Sequence, residues 1–306
     1  MIHFFNIIRW KNLLLIALVQ LLIKYALFSS FEVVTTLSDF QFSLLLIATL
    51  FIAAAGNIIN DIYDIETDLV NHPNKIIVGK HISVKNAFNL FIIFNIIGVC
   101  VGFYLANNIN KSGFATLFVI ISALLFMYSI YLKHLLLIGN VLISILIILS
   151  VVIVGLFDLI PNLTPSNKDI YIGIIQILLV YSAFAFILNL IREIVKDIED
   201  INGDYKVGMK TLPIVIGREP TTIIAFILSL LPIFGMIYII VSNMYRYPLV
   251  MAYLLMFITA PMIYISIKLY TAEREKDYHL ISQLLKLIML FGVLSLLLYP
   301  LIINNA

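Results

Sequence analysis

Hydrophobic residues in this chain fall in long uninterrupted runs, not at alternate positions or in short amphipathic stripes. Nine runs can be drawn, over residues 12–29, 42–60, 88–106, 114–132, 135–156, 170–192, 221–242, 248–268 and 284–303. At about 1.5 Å per residue, each is long enough to cross about 30 Å of hydrocarbon as a helix. The predicted fold class is all-α: a polytopic membrane protein with nine transmembrane helices. Polar, Pro- and Gly-containing connections separate the runs, and the two longest (61–87 and 193–220) have room for a short helix that caps the bundle. Lys133 and His134 alone separate the fourth and fifth runs, which predicts a tight antiparallel pair.

Composition agrees. The chain is 62% hydrophobic and 12% charged over 306 residues, where a soluble domain carries about a quarter charged residues. A net charge of +2 gives no basis for nucleic-acid binding. The single cysteine, Cys100, lies within an apolar run, which excludes disulfides and cysteine metal sites. No cleavable signal is expected, since Phe28-Ser29-Ser30 makes a poor cleavage site and Lys24 interrupts the first run. Lys24 is expected to snorkel toward the outer surface. No obligate protein partner is evident.

The basic residues set an orientation. With the N-terminus in the cytoplasm, fifteen of the 19 lysines and arginines fall on the inside, leaving Lys24, Lys111, Lys168 and Arg246 outside. The expected location is the cell membrane of a bacterium or archaeon.

Against this apolar background two polar windows stand out. Residues 60–68 read N-D-I-Y-D-I-E-T-D and residues 196–204 read K-D-I-E-D-I-N-G-D. Asp61, Asp64 and Asp68 recur 136 positions later as Asp197, Asp200 and Asp204, and Ile62 and Ile65 recur as Ile198 and Ile201. The offsets of three and four residues place each trio on one helical face. With Glu66, Glu193 and Glu199 they account for nine of the 17 acidic residues. Both windows follow runs that travel from outside to inside, four spans apart. This predicts one domain over 1–306 built on two parallel four-helix repeats, with both motifs facing a central cavity below a cytoplasmic cap.

So much like charge is costly unless cations neutralise it. Mg²⁺ takes oxygen ligands and is commonly shared between a few carboxylates and substrate phosphates. The aspartates Asp61, Asp64, Asp68, Asp197, Asp200 and Asp204 are therefore candidate Mg²⁺ ligands. A diphosphate bound there would have its departing charge neutralised, and an apolar cavity beneath suits an isoprenyl tail. Lys133, Arg192, Lys196 and Lys75 are candidate phosphate contacts. Asn189 shares a helical face with Glu193 and Asp197, and Tyr128 and Tyr131 precede Lys133. A cation or phosphate transporter is the non-enzyme alternative.

These motifs resemble the UbiA superfamily of intramembrane prenyltransferases. Its first signature, N-D-x-x-D-x-x-x-D, stands intact from Asn60 to Asp68, its second as Asp197, Asp200 and Asp204, and a tyrosine-lysine signature is matched loosely by Tyr128, Tyr131 and Lys133. The resemblance implies Mg²⁺-dependent transfer of a prenyl group from its diphosphate to a lipid-soluble acceptor, with Asp64, Asp200 and Lys133 central to catalysis. It implies that Asn60 joins the six aspartates in holding metal and diphosphate and that Lys133 and Arg192 steady the phosphate; Lys196, Tyr128, Tyr131, Lys75 and Asn189 complete the expected substrate-binding set. The run from Arg192 to Gly217 is similar to the branch whose acceptor is geranylgeranylglyceryl phosphate, although N-H-P-N-K stands where that branch has arginines around a proline. An aromatic quinone precursor is the alternative acceptor.

Overall fold

The computed structural model describes residues 2–74 and 76–303. Nine helices in it are long and apolar enough to cross a membrane: α1 (Trp10–Phe28), α2 (Asp39–Tyr63), α3 (Val84–Asn108), α4 (Ser112–Ile130), α5 (Ile138–Asn162), α6 (Lys168–Glu199), α7 (Arg218–Met244), α8 (Pro248–Tyr270) and α9 (Glu275–Ile303). The chain is an integral, multi-pass membrane protein. Local sequence explains several starts. Ser38 and Gln41 form a capping box that opens α2, and Ser83 accepts the Asn86 N–H to open α3, each satisfying amides that the first turn leaves unpaired.

Helices α2 and α6 run further than their hydrophobic stretches, to Tyr63 and Glu199, and so carry the first aspartates of each motif as regular helix. The long connections hold the short helices Ile65–Asn71, Ile201–Lys206 and Leu212–Ile216. The first two pack against each other across the bundle's polar end.

One packing expectation fails. Helices α4 and α5 barely touch beyond their turn; α4 packs on α2 and α3, and α5 packs on α6. Leu137 at φ 57° redirects the chain after Lys133, and side chains of both helices line a cavity between them. Helices α1, α2, α4, α5, α6 and α9 line that cavity, whereas α3, α7 and α8 contribute nothing to its wall. The outer helices instead present side chains such as Phe103, Phe234, Tyr238 and Ile267 outward, as lipid contact allows. At Gly98 and Gly102, α3 approaches Ile52 and Phe118 too closely to admit a side chain.

Lys24 does not snorkel. Its ammonium is buried and donates to the Leu37 carbonyl at 2.7 Å and to both carboxylate oxygens of Asp158 at 3.2 and 3.3 Å. The π-helical turn at Ile23–Phe28 belongs to the segment that carries Lys24 inward. Burial of Asp158, itself fully enclosed, makes the inward position more favourable than the outer interface, because each charge then has its partner.

Candidate active site

Each motif bends its helix at the middle aspartate. Asp64 (φ −92°, ψ 1°) ends α2 and begins the short helix Ile65–Asn71. Asp200 (φ −94°, ψ 7°) ends α6 and begins Ile201–Lys206 in nearly the same conformation. The break redirects each third aspartate, Asp68 and Asp204, over the mouth of the bundle. Asn71 stitches the two caps: its Nδ2 donates to the Asp200 carbonyl at 2.9 Å and its Oδ1 accepts the Gly203 N–H at 2.8 Å. Gly203 is obligatory in that contact, since a Cβ there would collide with the Asn71 amide.

All six motif aspartates line a single cavity of about 980 Å³, as do Asn60, Tyr128, Lys133, Asn189, Arg192 and Lys196. Asp61 accepts from Arg9 Nη2 at 2.8 Å. Asp64 accepts from both Lys133 and Asn60. Asp197 accepts from Asn140 at 2.8 Å, and Asp200 lies 3.1 Å from His72 Nε2. Arg192 and Lys196 both turn to Glu193, at 2.7 and 3.6 Å. Asn189 is buried and donates to Ser144 at 3.1 Å. Deeper in, the wall becomes apolar, with Ile52, Gly56, Phe118, Leu125, Ile147 and Phe184 among its residues.

Two expected residues do not join. Tyr131 points away from the cavity and is 59% exposed, because the chain leaves helical geometry there (φ −136°) before the turn. Lys75 lies outside the described residues. The site also uses Arg9, Asn140 and Asn71, which lie outside the Asp motifs. In the sequence Arg9 reads only as an orienting charge. Asn71, one turn beyond Asp68, was the one with a legible signal.

Burial dominates the electrostatics of the caps. It raises the Asp68 carboxyl to about 6, with Asp64 and Asp61 adding to the effect. Asp204 rises to about 8, from burial and then the neighbouring Asp197 and Asp200. Burial and then Lys133 push the His134 imidazole below its ordinary value. The mouth thus favours protonated or cation-paired carboxylates.

The donor set fits a hard divalent cation: carboxylates from two facing motifs, plus the buried Asn60 Oδ1, which has no hydrogen-bond partner. Among the described residues no three Asp, Glu, His or Cys side chains already converge as a ligand shell. Arg9, Lys133, His72 and Asn140 instead pair with Asp61, Asp64, Asp200 and Asp197.

A profile of the UbiA prenyltransferase family matches residues 13–290. The chain belongs to the UbiA prenyltransferase family. It is therefore a prenyl-transferring enzyme, and an ion transporter is set aside. Digeranylgeranylglyceryl phosphate synthase of Methanosphaera stadtmanae is 32% identical over 244 residues, spanning 79% of this chain and 81% of that protein. The synthase of the same name from Methanococcoides burtonii is 31% identical over 279 residues, 91% of each chain. Among solved structures, a digeranylgeranylglyceryl phosphate synthase superposes with a TM-score of 0.65 at 23% identity over 97% of both chains. A UbiA homolog from Archaeoglobus fulgidus bound to DMAPP and Mg²⁺ superposes with a TM-score of 0.58 at 19% identity, over 96% of this chain and 98% of that one. The UbiA fold of nine helices around a cavity follows from these likenesses.

Proposed function

We propose that this UbiA prenyltransferase transfers a geranylgeranyl group from geranylgeranyl diphosphate to the free hydroxyl of geranylgeranylglyceryl phosphate, releasing diphosphate, with Mg²⁺ as its cofactor. The observation that carries the reading is the meeting of both Asp motifs, with Lys133, at the mouth of one cavity whose floor is apolar. Relatives of about a third identity over most of the chain bear the name of that synthase, and the A. fulgidus homolog binds Mg²⁺ together with a prenyl diphosphate.

In this reading Asp61, Asp64, Asp68, Asp197, Asp200 and Asp204 hold the metal ions. Bound Mg²⁺ supplies the charge neutralisation that a departing diphosphate requires. Lys133 and Arg9 sit within reach of the same carboxylates and donate to phosphate oxygens once released from Asp64 and Asp61. Lys196 flanks the second motif and steadies the diphosphate from that side, while Tyr128 and Asn189 shape the wall. The two cap helices, tied by Asn71, exclude water from the carbon that develops cationic character. The bond between that carbon and the diphosphate oxygen breaks, the acceptor oxygen takes its place, and the hydroxyl proton is released. Fifteen of 19 basic residues on the mouth side support a cytoplasmic active site.

The test is product identification by mass spectrometry after incubating purified protein with geranylgeranyl diphosphate, Mg²⁺ and a panel of acceptors. The expected product is the diprenylated glyceryl phosphate. Prenylation of a benzoate or naphthoate, with none of the glyceryl phosphate, would overturn the reading.

A further inference from the structure

The cations at the polar end of the cavity differ in what they face. Arg9 and Lys133 are paired with aspartates of the first motif, and Arg192 and Lys196 share Glu193. Lys286, on α9, has no carboxylate partner among the described residues. Its ammonium donates to Asn12 Oδ1 of α1, and the charged groups acting on it are Arg192, Lys11 and Arg9, all cationic. Lys286, Asn12 and Arg192 all line the cavity, and Lys286 is only partly exposed. A cation among cations, with reduced access to water, is unfavourable until an anion enters between them. Arg192 adds a second unpaired donor, because its Nε is buried and donates to nothing.

The wall above this cluster leads to a second space. Met289, Gly292 and Val293 of α9 continue the cavity lining. Gly292 also lines an adjoining apolar recess of about 110 Å³, and a Cβ built on it meets nothing within 4 Å. Six residues separate Lys286 from Gly292, about 9 Å of helix. A phosphate head at Lys286 therefore has an apolar lane for its tail along the same helix.

We infer that Lys286, Arg192 and Asn12 form the subsite for the acceptor's phosphate monoester, and that the acceptor's hydrocarbon runs along α9 past Met289 toward the recess beside Gly292. This inference rests on the glyceryl phosphate reading above. It divides the cavity into two lanes, the diphosphate held at the Asp motifs and the monoester held by Lys286, which has no carboxylate partner among the described residues, and by the unpaired Nε of Arg192. A monoester carries about −1.5 to −2 charge at neutral pH, which matches a cluster of positive groups and would be repelled by the aspartate side.

The experiment measures initial rates of wild type, Lys286→Met, Lys286→Arg, Asn12→Ala and Gly292→Phe, varying geranylgeranyl diphosphate and geranylgeranylglyceryl phosphate separately. Lys286→Met is expected to raise the acceptor KM about 10- to 100-fold, the range for a lost charge-assisted contact, with the donor KM within about twofold. Lys286→Arg should recover most of that loss. Gly292→Phe should raise KM for the full-length acceptor but not for a short-tailed glyceryl phosphate. An acceptor KM unchanged in Lys286→Met, or acceptor and donor KM raised equally, overturns the subsite. If Lys286→Met does not fold, Asn12→Ala and Lys286→Arg decide by the same split. Wild type that transfers to no glyceryl phosphate overturns the parent reading and the subsite with it. Wild type that transfers while Lys286→Met keeps its acceptor KM overturns the subsite alone.

Discussion

Carboxylates meet cations at both ends of this bundle, and the two meetings are built differently. Far from the cavity mouth, Asp158 faces Lys24, with side chains 0% and 5% exposed. Asp158 also accepts the Leu37 N–H at 2.9 Å, and Lys24 sits 4.9 Å from the centre of the Phe42 ring. One acid meets one base, hydrogen bonds complete the shell, and neither side chain lines the cavity at the mouth. At the mouth, six aspartates crowd two facing helix ends, four of them take partners from α2, α5 and the segments holding Arg9, His72 and Lys133, and every one of these residues lines a cavity. The first arrangement holds helices together. The second leaves carboxylates on the cavity wall that, in the proposed function, take a cation from outside the chain.

Breaking the closed pair should have the largest effect on stability. Removing one member of a buried pair leaves the other charge uncompensated, at a cost of about 3–5 kcal/mol. Lys24→Met is therefore expected to lower the thermal midpoint sharply, whereas Lys24→Met with Asp158→Leu should recover most of it. Residual prenyl transfer per folded molecule should stay near wild type in both, as measured by activity normalised to the folded fraction.

The open cluster should instead reveal itself through pH. The folded pKa of Asp204, about 8, lies above the ordinary carboxylate value of 3.8, as does that of Asp68, about 6. The folded metal-free protein thus binds more protons than the unfolded chain between about pH 4 and 8, so its stability falls as pH rises through that window. Mg²⁺ must displace those protons, so its apparent affinity should rise about 10- to 100-fold from pH 6 to pH 8. Titration calorimetry in buffers of different ionisation enthalpy reads both affinity and proton release. Affinity independent of pH would contradict this role for the carboxylates.

A smaller effect is expected at the stitch between the caps. Asn71→Ala removes two hydrogen bonds, each contributing about 1 kcal/mol. It should reduce kcat several-fold while leaving the thermal midpoint within a few degrees, because the caps are peripheral to the membrane-spanning core.

Much of this architecture is legible in the chain. The nine runs survive as nine helices because no other structure satisfies the backbone in lipid. The repeated aspartates are legible by spacing alone, since acids in so apolar a chain stand out. What stayed hidden is pairing between helices distant in sequence. Nothing local links Arg9 to Asp61, Asn140 to Asp197, or His72 to Asp200, because each contact is set by how helices and loops pack. Asp158 carries no periodic signal, being a lone acid at the end of an apolar run, and without it Lys24 looks like an interfacial lysine. Tyr131 had the right neighbours in sequence but lies past the end of α4, where the backbone turns it outward.

The central claim is that the two motifs make one site. Its most direct test is Mg²⁺-dependent binding of a non-reactive geranylgeranyl thiolodiphosphate to wild type, Asp64→Ala and Asp200→Ala, with thermal midpoints recorded to show that each variant folds. The account predicts that either substitution alone weakens binding by about 100-fold or more, consistent with loss of a group on which metal and diphosphate jointly depend. Binding at wild-type affinity by either folded variant would contradict it.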